Sequence, residues 1–337
     1  MEENFILTVL IAFLASMFLN SYFMHFVLDH LKQRALFQPD INKIGRKRNV
    51  PALGGIAGFG AFMTIISIFI IMTAFDKNPL IQTNYLLLSL LSLSVIAFIG
   101  LVDDVLIFSH RILKPLLIAL ACIPLMAVNL PNNLIMHIPF IGNINWGIYY
   151  AFIFVPLAVI FVSNAVNILA GLDGLVPGMA SIVAATLLFV SYLKGNEIAI
   201  IYFAILLPTQ LILFYFNKPA SLIFPGNIGT LFAGGAIAIG AIIGNVERSL
   251  VILMIPYFIH FLFYSRSFFK FVPKMMGRLQ RNGTLKCPYD KCYGLTHWIM
   301  KYMRNSTERR IVWRLILFEV VIAVFVIILE YFKIPLF

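Results

Sequence analysis

The stretch YLLLSLLSLSVIAFIGLVDD, residues 85–104, is an apolar run that ends in two adjacent carboxylates, Asp103 and Asp104. A run of about 20 mostly apolar residues is long enough to cross a bilayer as a helix. Ionisable groups at membrane depth are costly and tend to serve chemistry or transport. Two explanations stay open at this point: the pair closes a helix end in water, or it holds a cation against a phosphate.

The rest of the chain has the same apolar character. Of its 337 residues 61% are hydrophobic and 12% are charged, and the mean hydropathy is +0.95, which lies outside the range of soluble domains. The sequence predicts an all-α, polytopic integral membrane protein with about ten transmembrane helices, forming a single domain over residues 1–337. The centres of these spans are predicted near Ala15, Ile65, Leu93, Ala121, Leu157, Ala184, Ile205, Ile237, Met254 and Ala323.

Lys and Arg are distributed unequally between the two sets of loops that ten spans create. Twenty lie on one set, eleven of them within residues 266–310, and four lie on the other. Cytoplasmic loops carry the excess of positive charge. We therefore expect both termini outside, a basic cytoplasmic loop over residues 266–310, and Asp103 and Asp104 on the cytoplasmic face. The net charge of +11 then reflects topology first, with anionic lipid or an anionic substrate as further explanations; nucleic-acid binding is not expected.

The three cysteines point to no particular chemistry. Cys122 lies in an apolar run and is expected to pack in the core. Cys287 and Cys292 form a C-x4-C with His297 nearby. A structural zinc site needs four ligands, and no convincing fourth ligand is present, so a structural metal is not expected.

Two of the predicted cytoplasmic loops carry polar residues in unusual density. In NAVNILAGLDGL, residues 164–175, Asn164 and Asn167 are three apart and share a helix face. Glycines on both sides of Asp173 let the backbone turn and approach a ligand. Hydrogen bonding between helices would explain one isolated Asn. The whole pattern instead favours a site for a cation or a hydrogen-bonding ligand.

The second polar loop is FPGNIGT, residues 224–230, which precedes a helix rich in small residues. Free N–H groups at a helix start can bind phosphate oxygens. Phe224 could stack on a flat ring or simply pack in the core. Mg²⁺ binds through a few protein oxygens and the phosphates of a substrate. The combined residue types suit a membrane enzyme that transfers a phosphoryl group between a soluble nucleotide and a lipid.

Three motifs in this order, GLVDDVL at 100–106, NAVNILAGLDGL at 164–175 and FPGNIGT at 224–230, resemble those of the polyprenyl-phosphate N-acetylhexosamine-1-phosphate transferases. The similarity runs roughly from Asp40 to Ser265 and is greatest to the eukaryotic and archaeal branch that makes dolichyl-pyrophosphate-N-acetylglucosamine. The resemblance implies a ten-helix fold with both termini outside. It also implies that a polyprenyl phosphate attacks the β-phosphorus of a UDP-sugar and expels UMP.

The resemblance assigns a role to individual residues. Asp103 and Asp104 would act near the lipid phosphate, as a base or as electrostatic organisers, and Lys114 would bind that phosphate. The predicted metal ligands for Mg²⁺, with Mn²⁺ as an alternative, are Asn167 and Asn227, with Asn164 beside the first as a catalytic candidate. The predicted substrate-binding residues are Asp40, Lys43, Asp173, Phe224, Gly226, Arg266 and Arg278.

Two features depart from the family pattern. Asn227 stands where the family usually carries Asp as a metal ligand, and we hypothesise that Asp173 supplies the missing charge. The family's Arg- or His-rich sugar-recognition signature is not found cleanly in the last cytoplasmic loop. The candidates there, at helical spacing, are Arg266, Lys270, Lys274 and Arg278. A cationic helix lying on anionic lipid explains these residues equally well.

The sequence thus predicts an enzyme that moves a sugar-1-phosphate, specifically N-acetylglucosamine-1-phosphate, from a UDP-sugar to dolichyl phosphate. We expect it in an archaeal cell membrane with its active site on the cytoplasmic face, and a homodimer is compatible with the sequence. The alternative is a polytopic transporter whose intramembrane carboxylates couple an ion to movement. Inverted repeats would favour that alternative, and none is detected in the sequence.

Overall fold

The protein is seen in a computed structural model that describes residues 3–41, 48–75, 83–106, 112–126, 135–138, 142–267, 271 and 274–334. These residues form thirteen α-helices and three short hairpins, so the predicted all-α membrane class is confirmed. The helices are α1 Glu3–Gln33, α2 Gly55–Ala74, α3 Thr83–Leu106, α4 Leu113–Ala121, α5 Ile123–Met126, α6 Val155–Leu169, α7 Leu175–Lys194, α8 Glu197–Asn217, α9 Gly226–Gly244, α10 Glu247–Leu253, α11 Ile255–Ser265, α12 Leu295–Tyr302 and α13 Glu308–Tyr331.

Within the described ranges, eight helices are long and apolar enough to cross a membrane. A ninth span results if α10 and α11, which meet at an angle of 53°, are counted as one broken helix; the chain bends there just before Pro256, which cannot donate a helical hydrogen bond. The span predicted near Ala121 corresponds to α4 and α5, which are short and are followed by residues outside the described part. The number of ten spans therefore stays a prediction.

The hairpins were not predicted from the sequence. They pair β1 Phe37–Asp40 with β2 Arg48–Pro51, β3 Ile135–Ile138 with β4 Gly142–Asn145, and β5 Arg278–Leu279 with β6 Leu285–Lys286, all antiparallel. The last pair lies in the basic segment, so the helical spacing proposed for its cations is wrong at Arg278. Gly277, a poor helix former, directly precedes this strand.

Helix α9 forms the centre of the bundle. Every residue from Ile228 to Gly244 is buried, and α9 packs against α2, α3, α6, α7 and α8. Its glycines permit close approach: a Cβ on Gly234 would lie 2.6 Å from the Cα of Ser163 on α6. Small residues at such contacts let membrane helices pack closely. The start of α9 is thereby held against the ends of its neighbours.

The loops sort to two ends of the bundle. One end gathers the C-terminal ends of α3, α6 and α8 and the N-terminal ends of α7, α9 and α13, which are joined by hydrogen bonds. At the other end Lys194 Nζ donates to the Asn245 carbonyl at 3.0 Å, and Arg248 Nη2 donates to the Ile334 carbonyl at 2.7 Å. The segments that contain Lys194, Asn245 with Arg248, and Ile334 belong to the predicted loops that are poor in Lys and Arg. The sequence-based division into two loop sets therefore agrees with the fold.

Candidate functional site

A cavity of about 330 Å³ opens at the end of the bundle where α9 begins. Its lining residues come from five segments that are far apart in the sequence. Seven predicted site residues line it together: Asp40, Asp104, Asn167, Asp173, Phe224, Gly226 and Asn227. The fold thus brings residues from three of the quoted motifs into one cavity.

Asp104 occupies the N-terminus of a helix other than its own. Its Oδ1 accepts the backbone N–H of Asn227 at 2.8 Å, and its Oδ2 accepts that of Ile228 at 3.0 Å. The first N–H groups of a helix have no partner within the helix, and a carboxylate there is also favoured by the helix dipole. The last turn of α3 therefore fixes the start of α9, and the Asp104 carboxylate is held in one orientation at the cavity wall.

Asp103 has different surroundings. It is buried, and its Oδ2 forms an ion pair with Lys114 Nζ at 2.5 Å. Neither residue lines the cavity. Lys114 lies in the first turn of α4, so this ion pair ties the end of α3 to the start of α4. The two adjacent carboxylates thus differ in their contacts: Asp104 lines the cavity, whereas Asp103 is paired with Lys114 outside the cavity lining.

The two asparagines of the second motif also diverge. Asn167 Oδ1 accepts a hydrogen bond from Thr230 Oγ1 at 2.7 Å, which links α6 to the first turn of α9. Asn164 Nδ2 donates to the carbonyl of Ile160 on its own helix at 2.8 Å and does not line the cavity. Asn167 is therefore the asparagine of this motif that the fold places in the cavity.

The Asp173 turn is fixed by partners on three other segments. Asp173 Oδ2 accepts the Ser221 N–H at 3.3 Å, and the Asp173 N–H donates to Glu308 Oε1 at 3.0 Å. The neighbouring Gly174 has φ +77° and donates its N–H to Asn217 Oδ1 at 2.9 Å. Asp173 is buried, with 5% exposure. Its position in the cavity is thus defined by buried hydrogen bonds to α8, to the loop after α8 and to α13.

Asn217 joins this turn to the segment that carries Phe224. Its Nδ2 donates to Ser221 Oγ and to the carbonyl of Ile223, both at 3.0 Å. Phe224 itself is held by backbone bonds: its N–H donates to the Pro51 carbonyl at 2.8 Å, and its carbonyl accepts the Gly54 N–H at 2.8 Å. The Phe224 ring is therefore carried by a backbone that is fixed on both sides.

Several of these positioning residues were not identified from the sequence. Thr230, Asn217 and Glu308 lie at helix ends. Thr230 bonds Asn167 and Glu308 bonds Asp173, whereas Asn217 bonds Gly174, the neighbour of Asp173. Thr230 lies within the quoted FPGNIGT motif, so the motif itself could have pointed to it. Asn217 and Glu308 gave no comparable indication, because the turn that both of them hold, at Asp173 and Gly174, is distant from each in the sequence.

Two further predicted residues, Arg266 and Arg278, lie outside the cavity lining. Arg266, at the end of α11, is exposed and lies over the ring of Phe263 at 4.5 Å from its centroid. Arg278 is exposed on β5. Neither lines the cavity, and Lys43 lies outside the described residues. Their predicted contact with substrate stays a prediction.

The segment between α11 and α12 contributes a wall of the cavity through Met276. Two hydrogen bonds hold the backbone of the neighbouring Lys274. Its carbonyl lies 3.0 Å from His297 Nε2, and its N–H donates to Tyr289 Oη at 3.0 Å. Burial lowers the pKa of His297, although its bond to Lys274 opposes this shift. His297 is thus held neutral near pH 7 and serves this wall as a hydrogen-bonding group.

The cavity is acidic. Asp40, Asp104 and Asp173 line it, and no Lys or Arg does so among the described residues. Within the same part of the chain, no three His, Cys, Asp or Glu side chains are grouped closely enough to hold a metal ion. A metal ion in this cavity would need other protein oxygens and the oxygens of a bound substrate as well as carboxylates. Asn167 and Asn227 supply amide oxygens in the cavity, and Thr230 supplies a hydroxyl oxygen.

The fold and the cavity define a polytopic membrane protein with an acidic site where helix ends meet, and similarity to known proteins specifies its family. Residues 85–245 match the family described as glycosyl transferase family 4. The chain is 34% identical to a protein of Saccharolobus solfataricus, over 96% of this chain and 98% of that protein. That relative is provisionally named UDP-N-acetylglucosamine–dolichyl-phosphate N-acetylglucosaminephosphotransferase, and a protein of Sulfolobus acidocaldarius with the same name is 32% identical over 95% of each chain.

A phospho-N-acetylmuramoyl-pentapeptide-transferase of Leuconostoc mesenteroides is 31% identical over 71% of this chain and 77% of that protein. The chain belongs to glycosyl transferase family 4, which confirms the resemblance seen in its motifs. The similarity extends over more of the chain than the Asp40–Ser265 region first recognised. The transporter alternative is not favoured.

Proposed function

We propose that this protein transfers N-acetylglucosamine-1-phosphate from UDP-N-acetylglucosamine to dolichyl phosphate and releases UMP. The observation that carries the proposal is the convergence of Asp104, Asn167, Asp173, Phe224 and Asn227 on one cavity at the end of the bundle. The names of the two archaeal relatives support the choice of sugar and carrier. The reaction would be the first membrane step in the assembly of a glycan.

In the proposed reaction an oxygen of the lipid phosphate attacks the β-phosphorus of the UDP-sugar. The bond between that phosphorus and the oxygen bridging to UMP breaks, and UMP leaves with the bonding electrons. A phosphate monoester is already largely ionised near neutral pH, so no strong base is required. Catalysis then depends mainly on positioning and on neutralising charge. Asp173 and Phe224 would hold the nucleotide, and Asp104 would order the helix start beside the reacting phosphates.

We propose Mg²⁺, with Mn²⁺ as an alternative, as the cofactor of this site. The hard oxygen donors of Asn167, Asn227 and Asp104 in the cavity fit such a cation. When bound, the cation would offset the negative charge of the pyrophosphate. An acidic cavity that receives two phosphorylated substrates needs such an offset, because like charges repel strongly at short range.

We also propose that the cavity faces the cytoplasm of a cell membrane, with both chain termini outside. The excess of Lys and Arg in the loops at the cavity end supports this orientation. An accessibility assay on single cysteines placed near residues 32 and 333 would test it. In intact cells, labelling of the cysteine near residue 32 by an impermeant reagent added outside, or protection of the one near residue 333, would contradict the proposed orientation.

The experiment that tests the function uses the purified chain with a panel of UDP-sugars. We expect UMP release that requires both a divalent cation and dolichyl phosphate, and a lipid product whose mass equals the carrier plus N-acetylglucosamine phosphate. Release of UMP without lipid phosphate would contradict the proposed transfer. A preparation that binds neither nucleotide nor lipid phosphate would contradict the enzyme assignment.

Asn227→Asp is expected to preserve or raise turnover. The family usually has Asp at this position, and the Asn227 side chain lies beside Asp104, so a second carboxylate would strengthen attraction for a cation. We expect the Mg²⁺ concentration for half-maximal rate to fall, roughly tenfold. A titration of turnover against Mg²⁺ measures this. Loss of metal-dependent turnover in the folded variant would refute the role assigned to Asn227.

Asn217→Ala is expected to raise the KM for the UDP-sugar, by about tenfold, with a smaller effect on the KM for the lipid. The change leaves the buried Gly174 N–H without its acceptor, at a cost of about 1–3 kcal/mol. It also removes one of the two donors to the Ile223 carbonyl, which keeps Ser221 Oγ at 2.8 Å, so both Asp173 and Phe224 are loosened. Asn20→Ala is the matched control. Asn20 is a buried amide whose Nδ2 donates to Thr209 Oγ1 at 3.1 Å, and neither residue lines the cavity. Equal effects of both variants on the two KM values would contradict a positioning role.

A further inference from the structure

A second concave surface lies on the segment between α11 and α13. It is a cleft of about 690 Å³ between the β5–β6 hairpin and the end of α12. Its main polar lining residues are Arg281, Asn282, Thr284, Lys286, Asn305 and Ser306. No residue lines both this basic cleft and the cavity with Asp104, and no Asp or Glu is among the described residues that line it. The basic cleft is thus a separate site with the opposite charge.

Two further guanidinium groups contact one wall of the basic cleft, at Asn305 and Ser306. Arg310 Nη1 donates to the carbonyl of Asn305 at 3.2 Å, and Arg314 Nη1 donates to Ser306 Oγ at 3.4 Å. The Arg314 Nη2 atom also donates to the Arg304 carbonyl at 3.1 Å. These contacts hold the cationic side chains against the wall of the cleft. An anion in the cleft would therefore lie near the cations Arg281 and Lys286 of its lining and near the guanidinium groups held at Asn305 and Ser306.

The basic cleft lies at the level where the chain enters the membrane. Asn305 and Ser306 directly precede α13, whose first residue Glu308 begins a membrane span. Arg310 and Arg314 lie in the first two turns of that span. Lys and Arg at helix ends can extend their charged groups to the bilayer surface. The positive charge is thus placed at headgroup level.

The outer face of α12 has the composition of a membrane-interface helix. Trp298 is 39% exposed and Tyr302 is 62% exposed, with their ring centroids 5.7 Å apart. His297 and Ile299 point to the opposite, buried side. Trp and Tyr are enriched at membrane–water interfaces, where an apolar ring meets a polar edge. The helix that forms one wall of the basic cleft therefore carries aromatic anchors suited to the lipid surface.

We propose that the basic cleft binds the phosphate headgroup of an anionic membrane phospholipid, which is not a substrate. The cations Arg281 and Lys286 would pair with the headgroup phosphate, and the amide and hydroxyl groups of Asn282 and Thr284 would hydrogen-bond to its oxygens. Basic residues near a span attract anionic lipid in this way. The charge of the cleft selects an anion, and its position at the start of α13, beside the exposed Trp298 and Tyr302, selects a lipid rather than a soluble anion.

The test is native mass spectrometry of the full chain released from nanodiscs that contain phosphatidylglycerol and phosphatidylcholine in equal amounts. We expect phosphatidylglycerol to be retained in preference to phosphatidylcholine. The double variant Arg281→Gln/Lys286→Gln is expected to reduce the retained phosphatidylglycerol roughly fivefold or more. Both side chains are exposed, so the variant should keep the melting temperature of the parent protein.

The matched control is Lys32→Gln/Lys291→Gln, which removes the same charge from exposed residues at the same end of the bundle. It should leave phosphatidylglycerol retention unchanged. Equal loss in both double variants would show that only total charge matters and would overturn the proposal. Inorganic phosphate is the second probe: if it stabilises the protein in pure phosphatidylcholine nanodiscs as much as phosphatidylglycerol does, the cleft binds a soluble anion and the lipid assignment is wrong.

Discussion

Asp104→Asn is expected to abolish UMP release, with a loss of at least ~100-fold, in a protein that still folds. The wild-type carboxylate accepts the N–H groups of Asn227 and Ile228 with one oxygen each. An amide offers only one acceptor, and its NH₂ group would face the second N–H. The start of α9, which carries Gly226 and Asn227 into the cavity, would therefore shift, and the negative charge beside the reacting phosphates would be lost.

The measurement combines the rate of UMP release with a thermal melting curve in the same detergent. Asp29→Asn is the control, because Asp29 is an exposed carboxylate at 3.8 Å from Lys32, and ion pairs of this kind contribute little. We expect its rate and melting temperature to match those of the wild type. Full activity of the Asp104 variant would refute the assignment of this residue to the site.

Gly226→Ala should have an effect of similar size for a different reason. Gly226 has φ +71°, and a Cβ built there would lie 2.6 Å from Asp104 Oδ2. The carboxylate would have to rotate away and give up its bonds to the start of α9. The left-handed backbone adds about 1 kcal/mol for any residue with a Cβ. We expect turnover to fall ~100-fold or more, as for the Asp104 variant, while the bundle still forms.

Gly195→Ala separates the effect of the left-handed backbone from the effect of the contact with Asp104. Gly195 has φ +67° at the end of α7, and a Cβ there would meet nothing within 4 Å. This variant carries the backbone strain without the contact to a carboxylate, so its melting temperature should fall slightly and its turnover should not change. UMP release and melting temperature are measured for both variants. Normal turnover in the Gly226 variant would contradict the close contact with Asp104.

The different surroundings of Asp103 and Asp104 bear on their proposed roles. Asp103 is paired with Lys114 outside the cavity lining, whereas Asp104 faces the cavity and fixes a helix start. This arrangement favours Asp104 as the residue closer to substrate. Asp103 would act through Lys114, by holding the end of α3 against the start of α4. The sequence-based assignment of one shared role to the pair is thereby refined into two proposed roles.

Much of the fold could be predicted because its cause is local. Apolar runs such as residues 85–102 have to form helices in a bilayer, since every backbone N–H and C=O must find a partner within the segment. The unequal distribution of Lys and Arg likewise follows from sequence and divides the loops into two sets. The hairpin that includes Arg278 was missed, because strands this short have no periodicity to recognise.

The sequence by itself determined the membrane class, the division of loops between two ends and the motifs whose residues line the cavity. Only the tertiary structure decided which residue of each motif faces that cavity: Asp104 rather than Asp103, and Asn167 rather than Asn164. It also decided that Thr230 bonds Asn167 and that Asn217 and Glu308 hold the turn at Asp173 and Gly174. The physical reason is that the position of a residue along its helix determines only the face on which it lies. Its contacts depend on how helices that are far apart in the sequence pack together, here around the buried, glycine-rich α9.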